Sequence, residues 1–218
     1  MGRALKGRDV PLNAAGIERG ARELAATDER LRHLYESNGV PPLWERETGF
    51  ATLVKIVLEQ QVSLDSAAAA FANLMAALGD VSPTPFLKLD DRELKKIGFS
   101  RQKAGYCRGI AAGLLDGSID LEGVAAMGDE AARDYLMEIR GIGEWTADVY
   151  LLFALRRRDI WPNGDRALAV SIRDNRELGD VPTYEEAARL AHRWSPWRSV
   201  AARMLWHSYL LERGRSLD

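Results

Sequence analysis

Apolar residues recur along this chain at the three- and four-residue spacing that places them on one face of a helix. The pattern is clear over residues 50–58, and it returns over 71–78 after an alanine-rich start. Similar patterns cover the ranges 14–26, 90–97, 102–115, 129–138, 144–156, 184–194 and 198–212. The sequence shows no alternating strand pattern and no internal repeat of about 20–50 residues. The sequence therefore predicts an all-α protein of about nine or ten helices.

Glycine and proline clusters separate the predicted helices, and one cluster is more informative than the others. An amphipathic helix ends near Ile139 and another begins by Glu144, with Gly141 and Gly143 in the turn between them. Glycine permits positive φ and lets a large partner approach the backbone closely. The start of the second helix offers unpaired amides and the positive end of its dipole, which suit a phosphodiester group and read no base sequence. The alternative is an ordinary helix–helix turn that a glycine terminates.

Composition limits the chemistry that this turn would serve. The chain has 218 residues, of which 46% are hydrophobic, enough for one large core or two small lobes. The formal net charge of -2 gives no general attraction to nucleic acid, although a local basic patch is sufficient for binding. Cys107 is the only cysteine, which excludes a disulfide within the chain and an iron–sulfur cluster. Neither a signal peptide nor a membrane-spanning run is visible, so we expect a soluble cytoplasmic protein.

Four stretches follow one another in an informative order: 50–63, 139–147, 159–168 and 194–201. A hairpin alone is weakly specific, whereas a hairpin, a Gly-Asp pair some twenty residues later and then Trp-Ser-Pro-Trp-Arg are strongly specific. Together they resemble the helix-hairpin-helix (HhH-GPD) DNA glycosylase superfamily, and within it the AlkA-like branch of 3-methyladenine DNA glycosylases II. The resemblance implies a two-lobed all-α fold with an active-site cleft between the lobes and no N-terminal β-domain. We expect 1–218 to form one compact core of two lobes. One lobe, over 50–130, would carry a loop whose side chain fills the gap left by a flipped base (the wedge loop). The other lobe, 1–49 plus 131–218, would carry the hairpin and the catalytic aspartate.

The resemblance implies that Asp165 is the catalytic residue, because the family's hairpin is followed by a loop rich in glycine and proline that ends in an aspartate. Pro162, Gly164 and Asp165 match that loop. Asp165 would lie at the first turn of a helix, where the helix dipole stabilises its charge. Cleavage of an N-glycosidic bond has a transition state of oxocarbenium character, which a carboxylate stabilises while it orients or deprotonates water. The alternative is that Asp165 only caps the helix.

The positions of the lysines predict that the enzyme does not cleave the DNA strand. Superfamily members that also nick DNA carry a lysine after Gly-x-Gly-x in the hairpin, and here Trp145 stands in that place. Lys103 is the last lysine of the chain, so the C-terminal half has no amine side chain for a Schiff base. The resemblance therefore implies a monofunctional glycosylase, without lyase activity, that leaves an abasic site.

Chemistry on a base requires that the base be flipped out of the duplex, and a side chain must fill the space that it leaves. In this family the side chain comes from a loop between two N-terminal helices. By resemblance Gln61 takes this wedge position, with Gln60 beside it. The alternative is a solvated loop with no role in binding.

The flipped base needs a pocket, and an alkylated purine that carries positive charge should stack on electron-rich rings. Trp145 and Trp197 match pocket positions of the family, and Trp161 is a further candidate. The alternative is that these rings belong to the core, as tryptophan at helical spacing most often does. The family's pocket tyrosine appears here as Val149, which leaves the preferred base open.

Contacts with the DNA backbone are expected at the hairpin, from Gly141, Ile142, Gly143 and Thr146. By analogy with other hairpins of this kind, a monovalent cation (Na⁺ or K⁺) would be held by the backbone carbonyls of Met137, Ile139 and Ile142. No other cofactor is expected. The run Arg156–Arg158 would either touch phosphates or form a solvated face.

The sequence thus predicts a monomeric cytoplasmic enzyme, associated with the nucleoid when it acts, whose partner is double-stranded DNA containing a damaged base. Its expected reaction is the excision of N-alkylated purines such as 3-methyladenine by base flipping, as a step of base excision repair. No membrane partner is expected. Two alternatives stay open: a glycosylase for a deaminated or oxidised base, and a non-catalytic helix-hairpin-helix module that recognises DNA structure. A carboxylate at Asp165 favours an enzyme, because in a pure binder it would only repel phosphate.

Overall fold

The computed structural model describes residues 10–215, which consist of helices and connecting loops with no β-strand. This confirms the predicted all-α class. None of the helices in this part of the chain combines the length and the apolarity needed to cross a bilayer. A short 3-10 helix, His192–Trp194, precedes the last α-helix. In chain order the α-helices are α1 (Ala14–Thr27), α2 (Glu29–Asn38), α3 (Phe50–Glu59), α4 (Leu64–Leu78), α5 (Pro83–Leu87), α6 (Asp91–Ile97), α7 (Arg101–Asp116), α8 (Leu121–Ala126), α9 (Asp129–Glu138), α10 (Glu144–Phe153), α11 (Arg166–Arg176), α12 (Tyr184–Ala191) and α13 (Arg198–Leu211).

The helices outnumber those predicted, because α2, α5 and α8 were not expected. α5 and α8 have 5 and 6 residues, too few for a helical period to show in the sequence. α2 is polar, and of its 10 residues only Leu31 and Leu34 are buried. It begins where Asp28 accepts hydrogen bonds from the amides of Arg30 and Leu31, so a capping side chain defines this helix better than its apolar pattern does.

The chain separates into two compact units. The continuous unit is Arg46–Tyr150, and the discontinuous unit combines the described residues up to Glu45 with those from Leu151 onward. The hairpin thus groups with the loop that carries Gln60 and Gln61, whereas the expected boundary at residue 130 grouped it with Asp165. The physical reason is that the Gln60 side chain, at the end of α3, is hydrogen-bonded to the hairpin.

The core of the discontinuous unit is built around α13, whose side chains from Ser199 to Trp206 are all buried. Helices α1, α2 and α11 pack against it. Arg203 is fully buried in this helix, and its guanidinium donates to three carbonyl oxygens, those of Leu43, Ser199 and Leu152. Burial lowers the pKa of Arg203 to about 9, so the side chain is still charged at neutral pH. A charge is therefore built into the centre of this unit.

The core of the continuous unit is built around α3, an apolar helix in which seven of 10 residues are buried. Helices α4 and α7 pack against it. The last turn of α3 is closed by Lys103 of α7, whose ammonium donates to the carbonyls of Leu58 and Gln60 at 2.9 and 2.8 Å. Carbonyls at a helix C-terminus have no partner within the helix. Lys103 therefore fixes the point from which the wedge loop departs.

Candidate functional site

Asp165 stands at the N-terminus of α11, after a loop that begins with the buried Trp161 and Pro162. Gly164 in this loop has a φ of 84°, in the left-handed region that favours glycine. Asp165 is the N-cap residue, and its Oδ1 accepts a hydrogen bond from the amide of Leu168 at 2.9 Å. The carboxylate thus lies at the helix start that the sequence indicated, where the helix dipole favours negative charge. Its catalytic role stays a prediction.

A second donor reaches the same carboxylate oxygen from another helix. The indole Nε1 of Trp206, on α13, donates to Asp165 Oδ1 at 3.2 Å. Trp206 is 6% exposed, and its ring stacks on Phe153 with the centroids 5.3 Å apart and an interplanar angle of 20°. Nothing in the sequence indicated Trp206, because the partners of this bond are 41 residues apart.

The hairpin joins α9 to α10, and its two glycines have different surroundings. Gly141 has a φ of 94°, and a Cβ there would overlap the ring of Tyr106. Gly143 is exposed, and a Cβ there would meet no atom within 4 Å. The Gly143 carbonyl accepts from the amide of Ala147 at 2.9 Å, which starts α10. Gly141 is therefore required by packing within the unit, whereas the space beside Gly143 is open to a partner.

Gln60 connects the end of α3 to the hairpin. Its side-chain Nε2 donates to the Gly141 carbonyl at 3.0 Å and to Thr146 Oγ1 at 2.9 Å. The structure thus holds the Gln60 side chain against the hairpin, and its place at the wedge stays a prediction. Thr146 is 2% exposed and its hydroxyl serves this contact, so contact of Thr146 with a DNA backbone would have to come from its amide. The amides of the first helical turn have no acceptor within the helix.

Gln61 differs from its neighbour in exposure and in backbone conformation. It is exposed, and its φ of 55° lies in the left-handed region. A residue other than glycine is held in this region at a cost of about 1 kcal/mol. The fixed neighbours on either side sustain it: Gln60 is bound as described, and Ser63 caps α4 by accepting from the amide of Ser66 at 3.2 Å. Gln61 is the glutamine that is accessible to a partner, and its wedge role stays a prediction.

Trp197 is packed within the discontinuous unit. It is 6% exposed, and its Nε1 donates to Glu23 Oε2 at 2.6 Å. The ring packs so closely on α1 that a Cβ at Gly20 would lie 2.7 Å from its Cε3 atom. The Arg158 guanidinium lies 4.9 Å from the ring centroid. Packing contacts alone therefore account for a tryptophan at this position, and its place in a base pocket stays a prediction.

The other two pocket candidates differ from each other in exposure. Trp161 is 6% exposed and packs tilted against Trp194, with the ring centroids 5.5 Å apart. Trp145 is partly exposed in the first turn of α10. Val149, one turn further on, is buried at 2% exposure. Of the three predicted pocket tryptophans, Trp145 is therefore the most accessible to a stacked base.

The arginine run 156–158 occupies three separate environments rather than one charged face. Arg156 pairs with Glu45 at 2.9 Å. Arg157 is 7% exposed, and Arg158 lies over Trp197. The Arg156 carbonyl accepts from the amide of Leu12 at 2.8 Å. The three side chains therefore do not form a common solvated face, and a phosphate contact from them stays a prediction.

Comparisons with known proteins agree with the order of these motifs. The family model of the HhH-GPD superfamily base excision DNA repair protein matches residues 54–196. A DNA-3-methyladenine glycosylase of Bacillus subtilis is 31% identical over 181 residues, 77% of this chain and 57% of the relative. DNA-3-methyladenine glycosylase 1 of Schizosaccharomyces pombe is 28% identical over 166 residues, 74% of this chain and 73% of the relative.

Solved structures show the same fold. The 3-methyladenine DNA glycosylase Mag1 of Schizosaccharomyces pombe, in complex with abasic DNA, matches with a TM-score of 0.79 and 26% identity, over 86% of this chain and 95% of that one. Against two Bacillus subtilis relatives, the chain spans 65% and 57% of their length. The resemblance stated from the sequence is confirmed. With a family model that covers well over half of its length, the chain belongs to the HhH-GPD superfamily of base excision DNA repair proteins.

Proposed function

We propose that this protein is a DNA glycosylase that releases N-alkylated purines such as 3-methyladenine from double-stranded DNA. One observation carries the proposal: in a chain of the HhH-GPD family, the carboxylate of Asp165 lies at a helix start and accepts hydrogen bonds from its own helix and from another. Relatives from Bacillus subtilis and Schizosaccharomyces pombe are named for this activity. A helix cap needs only the Leu168 amide, so the donor on another helix favours a role beyond capping.

In the proposed reaction the C–N bond between sugar and base breaks, and the base leaves with the bonding electrons. Positive charge develops on the sugar, which a nearby ionised carboxylate stabilises. The oxygen of a water molecule then bonds to the anomeric carbon, and Asp165 accepts the proton that the water loses. An N-alkylated purine leaves as a neutral base, so one carboxylate is sufficient to assist its departure.

We assign the contacts with DNA by accessibility. Gln61 is exposed and would fill the space that the flipped base leaves. Trp145 is partly exposed and would stack on the cationic base. The amides at the start of α10, beside the open space at Gly143, would bind a phosphate and read no sequence. Base selection in this proposal therefore depends on the pocket and not on the hairpin.

The hairpin carbonyls suit a monovalent cation. Carbonyls at the end of a helix lack partners within it, and oxygen is the donor that hard cations prefer. The Ile139 carbonyl accepts from the amide of Ile142 at 3.0 Å, and its second lone pair can still serve an ion. No cluster of three His, Cys, Asp or Glu side chains within residues 10–215 is arranged for a metal. By analogy with other hairpins of this kind, the proposed Na⁺ or K⁺ would be held by the carbonyls of Met137, Ile139 and Ile142.

We also propose that the enzyme has no lyase activity. Trp145 stands where lyase members carry their lysine. The ammonium of Lys103 is bound to two backbone carbonyls, and Lys55 is half-buried with its Nζ 5.7 Å from the ring centroid of Phe71. Burial lowers the pKa of both amines, so these are the lysines to replace first if a covalent adduct with DNA forms.

The test is incubation of the protein with randomly methylated duplex DNA, followed by chromatography of the released bases and a denaturing gel of the strands. We expect free 3-methyladenine and strands that break only after treatment with alkali. Binding of the duplex with no base released would favour a non-catalytic module. Release of only deaminated or oxidised bases, from DNA that carries those lesions, would keep the enzyme and replace the substrate.

A further inference from the structure

We infer that Trp206 is a positioning residue for Asp165, an inference that rests on the proposed function and adds a residue to it. The Oδ1 atom of Asp165 accepts from the Leu168 amide at 2.9 Å and from the Trp206 indole at 3.2 Å. The first donor belongs to the helix that Asp165 itself begins. The second donor comes from α13, so the carboxylate is tied to another helix as well as to its own.

Trp206 is itself held in place by a stack of side chains. Its ring lies on Phe153, the last residue of α10, at 5.3 Å between centroids. The guanidinium of Arg203 lies 5.2 Å from the centroid of the Phe153 ring, a distance at which a cation is attracted to an aromatic face. Arg203 is fully buried and bound to three carbonyls, so it is a rigid support. The indole N–H therefore meets Asp165 in a fixed direction.

Asp28 provides a structural counterpart that has no expected contact with DNA. It caps α2 by accepting from the amides of Arg30 and Leu31, and the indole of Trp194 donates to its Oδ2 at 3.0 Å. Asp28 also pairs with Arg176 at 2.6 Å. A buried indole that donates to a capping aspartate thus stabilises this fold at a second position. Loss of that bond measures the structural value of such a contact.

The experiment compares Trp206→Phe with Trp194→Phe. Each substitution keeps an aromatic ring and removes one indole N–H bond to a capping aspartate. We expect comparable losses of melting temperature. The single-turnover rate of 3-methyladenine release should fall about 10- to 100-fold in Trp206→Phe, the loss that a small misplacement of a catalytic group causes. Its dissociation constant for duplex should stay within about threefold, and Trp194→Phe should keep the wild-type rate within about twofold.

Equal rates in Trp206→Phe and wild type, or equal rate losses in both variants, would overturn the inference, since the bond would then matter only to folding. If Trp206→Phe does not fold, benzothienylalanine at position 206 keeps the shape of tryptophan without an N–H donor, and the same loss of rate is expected. Wild-type protein that releases no base contradicts the proposed function and the inference together. An active wild type with an equally active Trp206 variant contradicts the inference alone.

Discussion

Replacement of Gln60 by alanine removes one amide group that serves two acceptors. The amide donates to the Gly141 carbonyl at 3.0 Å and to the Thr146 hydroxyl at 2.9 Å. Each such bond contributes about 0.5–1.5 kcal/mol net, so the free energy of unfolding should fall by about 1–3 kcal/mol. In a protein of this size that corresponds to a melting temperature lower by roughly 2–12 °C. Gln61→Ala, at an exposed position, should change the unfolding free energy by no more than about 0.5 kcal/mol.

Substitution of Gln61 should affect the rate of base excision more than it affects stability, the reverse of what is expected for Gln60. If Gln61 fills the space of the flipped base, Gln61→Ala should slow single-turnover release strongly opposite the normal partner and weakly opposite a mismatch, where unstacking costs less. Gln61→Leu keeps the bulk and removes the amide. Gln60→Glu is the matched control for stability. It keeps the shape of the side chain but replaces the donating amide with a carboxylate oxygen, which would face the Gly141 carbonyl and the Thr146 hydroxyl and should destabilise the protein. A Gln60→Glu variant as stable as the wild type, or a Gln61→Ala variant as unstable as Gln60→Ala, would refute the reasoning.

The other predictions concern the hairpin, the lysines and the buried arginine. Gly143→Val should weaken binding to damaged and undamaged duplex alike in fluorescence anisotropy, since the side chain blocks the approach of the DNA backbone. If Gly143→Val weakened binding to one lesion only, Gly143 would belong to the base pocket instead. Gly141→Ala should lower the melting temperature, because its Cβ overlaps the ring of Tyr106. Borohydride reduction with damaged DNA should trap no covalent adduct, and an adduct would direct attention to Lys55, Lys103 or the N-terminal amine. Arg203→Met should lower the free energy of unfolding in urea by about 2–5 kcal/mol, because buried carbonyls lose their donors, and a loss well under about 1 kcal/mol would contradict the hydrogen bonds described.

Local chemistry made the start of α11 predictable. A Gly-Asp pair before a helical pattern indicates an N-cap, and the structure has Asp165 in that position. The same logic missed α2, whose polar sequence shows little apolar period even though Asp28 caps it. The contact of Trp206 with Asp165 joins residues that are far apart in the chain, so only the packing of α13 on α11 reveals it.

Residue type alone does not separate side chains that stand next to each other. Gln60 and Gln61 are identical and adjacent, yet one is bound to the hairpin and the other is exposed. The difference arises from the end of α3, which Lys103 fixes from another helix. Trp197 fits the family's pocket pattern, but its burial depends on the close approach of α1 at Gly20. A motif in the sequence does not show such tertiary contacts.

The most direct test of the central claim is single-turnover release of 3-methyladenine by Asp165→Asn. Asparagine caps helices as well as aspartate does, so the substitution removes the charge and keeps the start of α11. The rate should fall by at least about 100-fold, because the positive charge on the sugar loses its stabilisation. Affinity for duplex should hold or rise, since a negative charge near phosphate is gone. An Asp165→Asn variant that releases the base at the wild-type rate would contradict the assignment of Asp165 as the catalytic carboxylate.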